Sequence, residues 1–198
     1  MPPLVLASTS TARSRMLAAA GVSFETMPPR VDESAIRAAM AAEGAAPRDV
    51  ADALAEAKAR KVSGRRPDAL VIGSDQVLDL DGEILSKPTS PAEARAQIER
   101  LAGRTHRLHA AAVAFDASGP IWRHVESPSM TMRRPSAAWL DAYVERNWDV
   151  IRHSVGGYAI EGEGVRLFAA IRGDGFAILG MPLVPLLSWL TARGDIDG

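Results

Sequence analysis

The chain has 198 residues, 47% hydrophobic and 24% charged, the make-up of an ordinary globular protein able to bury one core. Its 23 Lys and Arg against 24 Asp and Glu leave a formal net charge of -1, so no global positive field would drive it onto nucleic acid or an anionic membrane. The absence of cysteine excludes a disulfide framework, a thiolate metal site and a cysteine nucleophile together, and is compatible with a reducing compartment.

Leu4-Val5-Leu6-Ala7 has the pattern of a buried strand, and Ser8-Thr9-Ser10-Thr11 supplies N-cap residues for a helix over 13–20 that Gly21 stops. The opening apolar run is too brief for a signal-peptide core and no stretch approaches membrane-spanning length, so the expectation is a cytoplasmic protein. Asp32 can cap a helix running toward Glu43, and Pro47 sits in the first turn of an alanine-rich helix carrying Glu56 and Lys58. An apolar strand over 69–73 continues into 77–85, where Asp81-Gly82 signals a two-residue hairpin. Ser90-Pro91 with Glu93 starts a helix that ends at Gly103. Two long strands are expected over 104–115 and 121–132, joined by a turn cluster at 116–120. A helix over 136–148 carries Trp139 and Tyr143, a glycine-bearing segment at 156–162 precedes a strand over 165–171, and residues 182–192 form a closing helix despite Pro185. Helices mixed with hairpins predict a layered α/β fold with a mixed, twisted sheet, as a single domain over 1–198.

Several groups of residues bear on chemistry. Ser8 and Arg13 lie in a hydroxyl-rich loop at a helix start, where free N–H groups favour an anion such as phosphate, although Ser and Thr there also serve simply as caps. Asp75, in Gly73-Ser74-Asp75-Gln76, stands at a strand end where α/β proteins place ligand-binding groups, and an Asp in such a place also serves turns. Glu33 falls in a first helical turn, where an acid is expected from the dipole alone. Lys58 and Lys87 are cations that on their own read as solvated surface residues, and Glu161 among glycines is either a ligand-facing carboxylate or a turn residue. The histidines at 106, 109, 124 and 153 show no zinc spacing, and no GxxxxGK[ST] segment occurs, which excludes a P-loop.

Taken in order, Leu4-Val5-Leu6-Ala7-Ser8-Thr9-Ser10 with Arg13, Val31-Asp32-Glu33, Ala57-Lys58-Ala59, Val71-Ile72-Gly73-Ser74-Asp75-Gln76-Val77, Gly82 with Lys87-Pro88, Gly156-Gly157-Tyr158-Ala159-Ile160-Glu161-Gly162 and Gly180-Met181-Pro182-Leu183 resemble the Maf family of nucleotide pyrophosphatases. The seven blocks span nearly the whole chain. The resemblance implies a three-layer α/β/α fold of the inosine triphosphatase type, two lobes around a nucleotide cleft, a divalent cation (Mg, Mn or Co) and frequent dimerisation, so that a homodimer is open. It implies Asp75 as general base, with Ser8, Arg13, Glu33, Lys58 and Lys87 forming the phosphate and metal site and Glu33 and Asp75 as metal ligands. The substrate implied is a nucleoside triphosphate, with no nucleic-acid or membrane partner.

The chain departs from the family's Ser-Pro-Arg-Arg loop, since Thr11-Ala12-Arg13-Ser14-Arg15 lacks the proline and one of the paired arginines. Gln76 and Glu161 resemble the Gln and Glu of the subgroup acting on 7-methylguanosine triphosphate, which can carry an aromatic residue where this chain has Ala12. The alternatives are activity on thymidine and uridine triphosphates, broad specificity, removal of the terminal phosphate, or a nucleotide-binding division regulator with little turnover.

Overall fold

The computed structural model describes residues 2–197; the terminal positions 1 and 198 of the expected single domain lie outside them. The chain divides into two compact units that interleave along the sequence: one holds the chain up to Gln76, His109–Ser127 and the chain from Asp174 on, and the other holds Val77–Leu108 and Pro128–Gly173. No single cut separates them, because two strands, β3 (Leu70–Leu80) and β5 (Thr105–Asp116), run through both. The architecture is mixed α/β, with parallel and antiparallel strand pairs, as the sequence led us to expect.

In the first unit, β1 (Leu4–Ala7) pairs in parallel with both β2 (Glu25–Thr26) and the start of β3, in the register Leu4↔Leu70 to Ala7↔Gly73. Parallel strands need crossovers, supplied by α1 (Thr11–Ala19) between β1 and β2 and by α2 (Glu33–Ala42) and α3 (Pro47–Ser63) between β2 and β3. Ser10 Oγ caps α1 and Asp32 caps α2, as their side chains predict. The later half of β5 pairs antiparallel with β6 (Gly119–Glu126), and α6 (Gly175–Ile178) and α7 (Leu183–Arg193) close the unit. Pro185 is tolerated because it falls in the first turn of α7. Leu6, Leu17, Leu70, Ile72, Leu186 and Leu190 are almost completely buried in one cluster, each worth on the order of 1.5–3 kcal/mol relative to exposure.

In the second unit, the end of β3 turns at Asp81 and Gly82 (φ 53° and 89°) into β4 (Glu83–Leu85), the positive φ pair that an Asp-Gly hairpin signals. Ser90 caps α4 (Pro91–Leu101) and Ser136 caps α5 (Ala137–Ile151). The first half of β5 pairs with β7 (Ser129–Met132), which pairs in turn with β8 (Phe168–Arg172).

Two expectations are corrected. The strand expected over 121–132 is two strands, broken at Ser127-Pro128, with β6 on Ala110–Asp116 and β7 on Thr105–Arg107; a proline there cannot donate to a continuing ladder. The strand expected over 165–171 begins only at Phe168, because Glu163–Leu167 forms a 3₁₀ helix. Among the described residues no helix is long and apolar enough to cross a membrane.

Candidate active site

The site is built around one close approach. Gly73 on β3 faces α3 so tightly that a Cβ there would lie 2.1 Å from the Ala55 carbonyl oxygen and 2.6 Å from the Ala59 nitrogen. Only hydrogen fits. That contact seats Lys58, between Ala55 and Ala59 in sequence, against the strand segment bearing Asp75: Lys58 Nζ lies 3.0 Å from Asp75 Oδ1 and 2.8 Å from Glu33 Oε1. Lys58 and Asp75 are both buried, whereas the Glu33 side chain, in the first turn of α2, is half-exposed and also pairs with Arg37 at 3.5 Å.

The loop after β1 adds the second cation. Ser8 Oγ accepts from the Ser10 N–H at 3.1 Å and from Arg13 Nη1 at 3.5 Å. Arg13 is buried, its Nε donates to the Gly180 carbonyl at 2.8 Å, and its Nη2 lies 3.8 Å from Asp75 Oδ1. Burial pushes the Arg13 pKa down, and the negative charges of Asp75 and Glu33 oppose that push. Ser74 Oγ also donates to the Gly180 carbonyl, at 3.2 Å, so one backbone oxygen ties the Asp75 segment and Arg13 together.

Ser8, Arg13, Glu33, Lys58 and Asp75 are therefore gathered within the first unit. Asp75 Oδ2 is buried and has no hydrogen-bond partner, although its twin Oδ1 has Lys58. A buried acceptor in that state is costly unless a cation or a donor completes it. The donor set, two carboxylates of hard oxygen, fits a divalent cation such as Mg²⁺, which takes one or two protein carboxylates and fills its remaining positions with water and phosphate oxygens. Among the described residues there is no cluster of three or more His, Cys, Asp or Glu that could hold a metal ion.

Gln76 donates through Nε2 to the carbonyls of Ala177 and Ile178 at 2.8 and 2.9 Å, which occupies both amide hydrogens and leaves its carbonyl oxygen as the group it can offer a ligand. Ala12 is half-buried in the first turn of α1. Lys87 and Glu161 belong to the second unit, both exposed, Lys87 after β4 and Glu161 in the turn before the 3₁₀ helix Glu163–Leu167. Sequence reasoning missed the parts played by Gly73 and by the Gly180 carbonyl. Their signals were present, as a glycine preceding the Ser-Asp pair and as the Gly-Met-Pro block, but a backbone contact leaves no chemical mark of its own.

A family model described as Maf-like protein matches residues 3–193 of this chain. The chain is 53% identical over 195 residues to a nucleoside triphosphate pyrophosphatase of Ruegeria pomeroyi, covering 98% of each. It is 52% identical over 196 residues to a nucleoside triphosphate pyrophosphatase of Caulobacter vibrioides, covering 99% of this chain and 98% of that one. To a 7-methyl-GTP pyrophosphatase of Brucella abortus it is 46% identical over 195 residues, covering 98% of each. A distant likeness, at TM-score 0.43 and 14% identity over 98% of this chain and 94% of the other, is to a dITP/XTP pyrophosphatase structure from Mycobacterium abscessus.

Proposed function

This chain belongs to the Maf-like family, and from that premise we propose that it cleaves a nucleoside triphosphate between the α- and β-phosphates, using a divalent cation (Mg, Mn or Co) and preferring 7-methyl-GTP or related modified purine triphosphates. It is a hydrolase, a nucleoside triphosphate pyrophosphatase, like relatives about half identical to it over nearly their whole length. The observation that carries the chemistry is the Lys58–Asp75–Glu33 cluster beside Arg13, with one Asp75 oxygen left without a partner.

A triphosphate brings up to about four negative charges, which must be balanced before water can approach the α-phosphorus. Arg13 and Ser8 supply donors to phosphate oxygens, and Lys58 supplies a charge held in place by two carboxylates. Glu33 and Asp75 would hold the divalent cation, which when bound supplies charge neutralisation on the phosphate oxygens. Asp75 Oδ2 is the oxygen available to orient the attacking water and accept its proton, since Oδ1 is committed to Lys58. Lys87 takes its role, balancing charge on the departing pyrophosphate, from the family block it occupies.

The base preference rests on Glu161. Guanine presents two adjacent donors, N1–H and the exocyclic amine, that one carboxylate accepts together, whereas uracil and thymine present one donor between two carbonyls. A 7-methyl group adds positive charge that a carboxylate also attracts. Ala12 offers no ring for stacking, which favours a range of purines over a single one. The cytoplasm, where nucleotides are handled, is part of the same proposal. The test is initial rates on a panel of purine and pyrimidine triphosphates for the wild type and Glu161→Gln. Guanine nucleotides are expected first in the wild type, with the variant shifted toward pyrimidines; thymidine and uridine triphosphates turned over as efficiently as every guanine nucleotide would remove Glu161 as the reader of the base.

A further inference from the structure

A second basic centre lies in the second unit, and none of its residues belongs to the cluster around Asp75. Arg133, Arg134, Ser136, Trp139 and Arg166, with Pro135 and Leu167, line an open pocket of about 240 Å³ between the end of β7, the start of α5 and the 3₁₀ helix Glu163–Leu167. Three arginines line it and no carboxylate does.

Two of the three arginines are fixed by the fold. Arg133 donates through its backbone N–H to the Leu167 carbonyl at 2.7 Å and through Nε to the Phe168 carbonyl at 2.8 Å, which commits one edge of the guanidinium to the protein. Arg166 lies over the Trp139 ring at 5.2 Å, and Trp139 is stacked in turn on Tyr143 at 5.1 Å and 9°. The indole thus holds the Arg166 guanidinium against it. Among the described residues the ion pair of Arg166 is with Glu163, at 3.5 Å, and that carboxylate is already engaged by Arg146 at 2.7 Å and Asn147 at 3.0 Å. The first turn of α5 carries no acidic residue, so the positive end of a 15-residue helix adds to the same field.

Like charges gathered with so little compensation call for an anion, and planar guanidinium forks match phosphate oxygens in particular. The cavity is smaller than the roughly 300–1,000 Å³ of nucleoside-sized ligand sites. We propose that this pocket binds a compact polyphosphate anion, either free inorganic pyrophosphate or the phosphate tail of a nucleotide, at a site separate from the Asp75 cluster. The choice of pyrophosphate as occupant rests on the proposed function, of which it is a product; the binding itself does not.

Isothermal titration calorimetry of the full chain at low ionic strength, with chelator present, tests the assignment using pyrophosphate, orthophosphate and a non-hydrolysable nucleoside triphosphate as titrants. Arg134→Gln/Arg166→Gln is expected to bind one pyrophosphate fewer per chain than the wild type. Trp139→Phe is expected to weaken that site by roughly 10-fold, the scale of one charge-assisted hydrogen bond lost as Arg166 loosens. Nucleoside triphosphate turnover should stay near the wild-type rate in all three proteins, and the binding readout does not depend on it, so failure of the pocket and failure of the proposed activity are seen separately. Loss of pyrophosphate binding alone assigns the free anion, and parallel loss of the nucleotide analogue assigns the tail. An equal number of pyrophosphate sites with equal affinity in the wild type and the double variant overturns the proposal, as does orthophosphate binding there as tightly as pyrophosphate.

Discussion

Lys58 Nζ bonds Asp75 Oδ1 at 3.0 Å while Asp75 Oδ2, equally withdrawn from solvent, has no partner. One carboxylate is thus divided into an oxygen that holds the lysine and an oxygen with unused acceptor capacity. Asp75→Asn keeps the shape and lets the amide oxygen go on accepting from Lys58, but puts two N–H donors where the free acceptor was. Turnover should fall by at least ~10²-fold, the low end for loss of a general base, with circular dichroism and melting temperature little changed. Near-normal turnover in a folded variant would move the base elsewhere, with Glu33 next in line.

Gly73→Ala tests how the site is assembled. The added methyl would meet Ala55 O and Ala59 N, which are backbone atoms that no side-chain rotation can move. Overpacking of this kind costs typically 1–3 kcal/mol, and relief requires α3 to shift from β3, carrying Lys58 away from Asp75. A lower melting temperature together with reduced turnover is expected. A variant as stable and as active as the wild type would show that the close approach does not position Lys58.

Arg13→Lys should not be conservative. The guanidinium reaches the Gly180 carbonyl with Nε while its other nitrogens lie near Ser8 Oγ and Asp75, a three-way span that a single ammonium cannot reproduce. We expect a rise in KM for the triphosphate of about 10-fold, equivalent to one charge-assisted hydrogen bond, measured by steady-state kinetics. An unchanged KM would remove Arg13 from substrate binding.

A pH effect on stability arises in the second unit. His106 is buried, its Nε2 lies 2.7 Å from Tyr158 Oη, and that hydroxyl donates to Met130 Sδ at 3.6 Å. In this chain of donors His106 carries its proton on Nε2, and its buried Nδ1 has no partner to receive a second one. Burial pulls the His106 pKa from 6.5 to about 4. Between these values the unfolded chain binds the proton and the folded chain does not, so stability rises with pH across the window and is lost as pH falls from about 6.5 to about 4. The whole effect is on the order of 3 kcal/mol. Denaturant unfolding of the wild type and His106→Phe at several pH values should show a shallower slope for the variant in that window; parallel slopes would contradict the assignment.

Much of this architecture was legible where a side chain acts locally. Ser10, Asp32, Ser90 and Ser136 cap the helices that their positions announce, and Asp81-Gly82 makes its hairpin. What was illegible depends on partners remote in sequence. The break between β6 and β7 falls at Pro128, which the sequence does display, but that the two segments pair with different halves of β5 leaves no sign in residue periodicity. The four-residue α6 is too short to show a period, although Asp174 caps it. In the site, Lys58 and Asp75 are 17 positions apart and meet only through the Gly73 contact, so each alone reads as ordinary. The family resemblance joined them before any geometry did. It could not anticipate that both amide hydrogens of Gln76 are taken by backbone carbonyls at the end of α6.

The central claim is cleavage between the α- and β-phosphates with the help of a divalent cation. It is tested most directly by resolving the products of a purine triphosphate chromatographically in the presence of Mg²⁺, without added pyrophosphatase, and repeating the reaction with excess chelator. The account predicts nucleoside monophosphate and pyrophosphate in equal amounts, and no turnover once the metal is removed. Orthophosphate and nucleoside diphosphate as the primary products, or undiminished turnover under chelation, would contradict it.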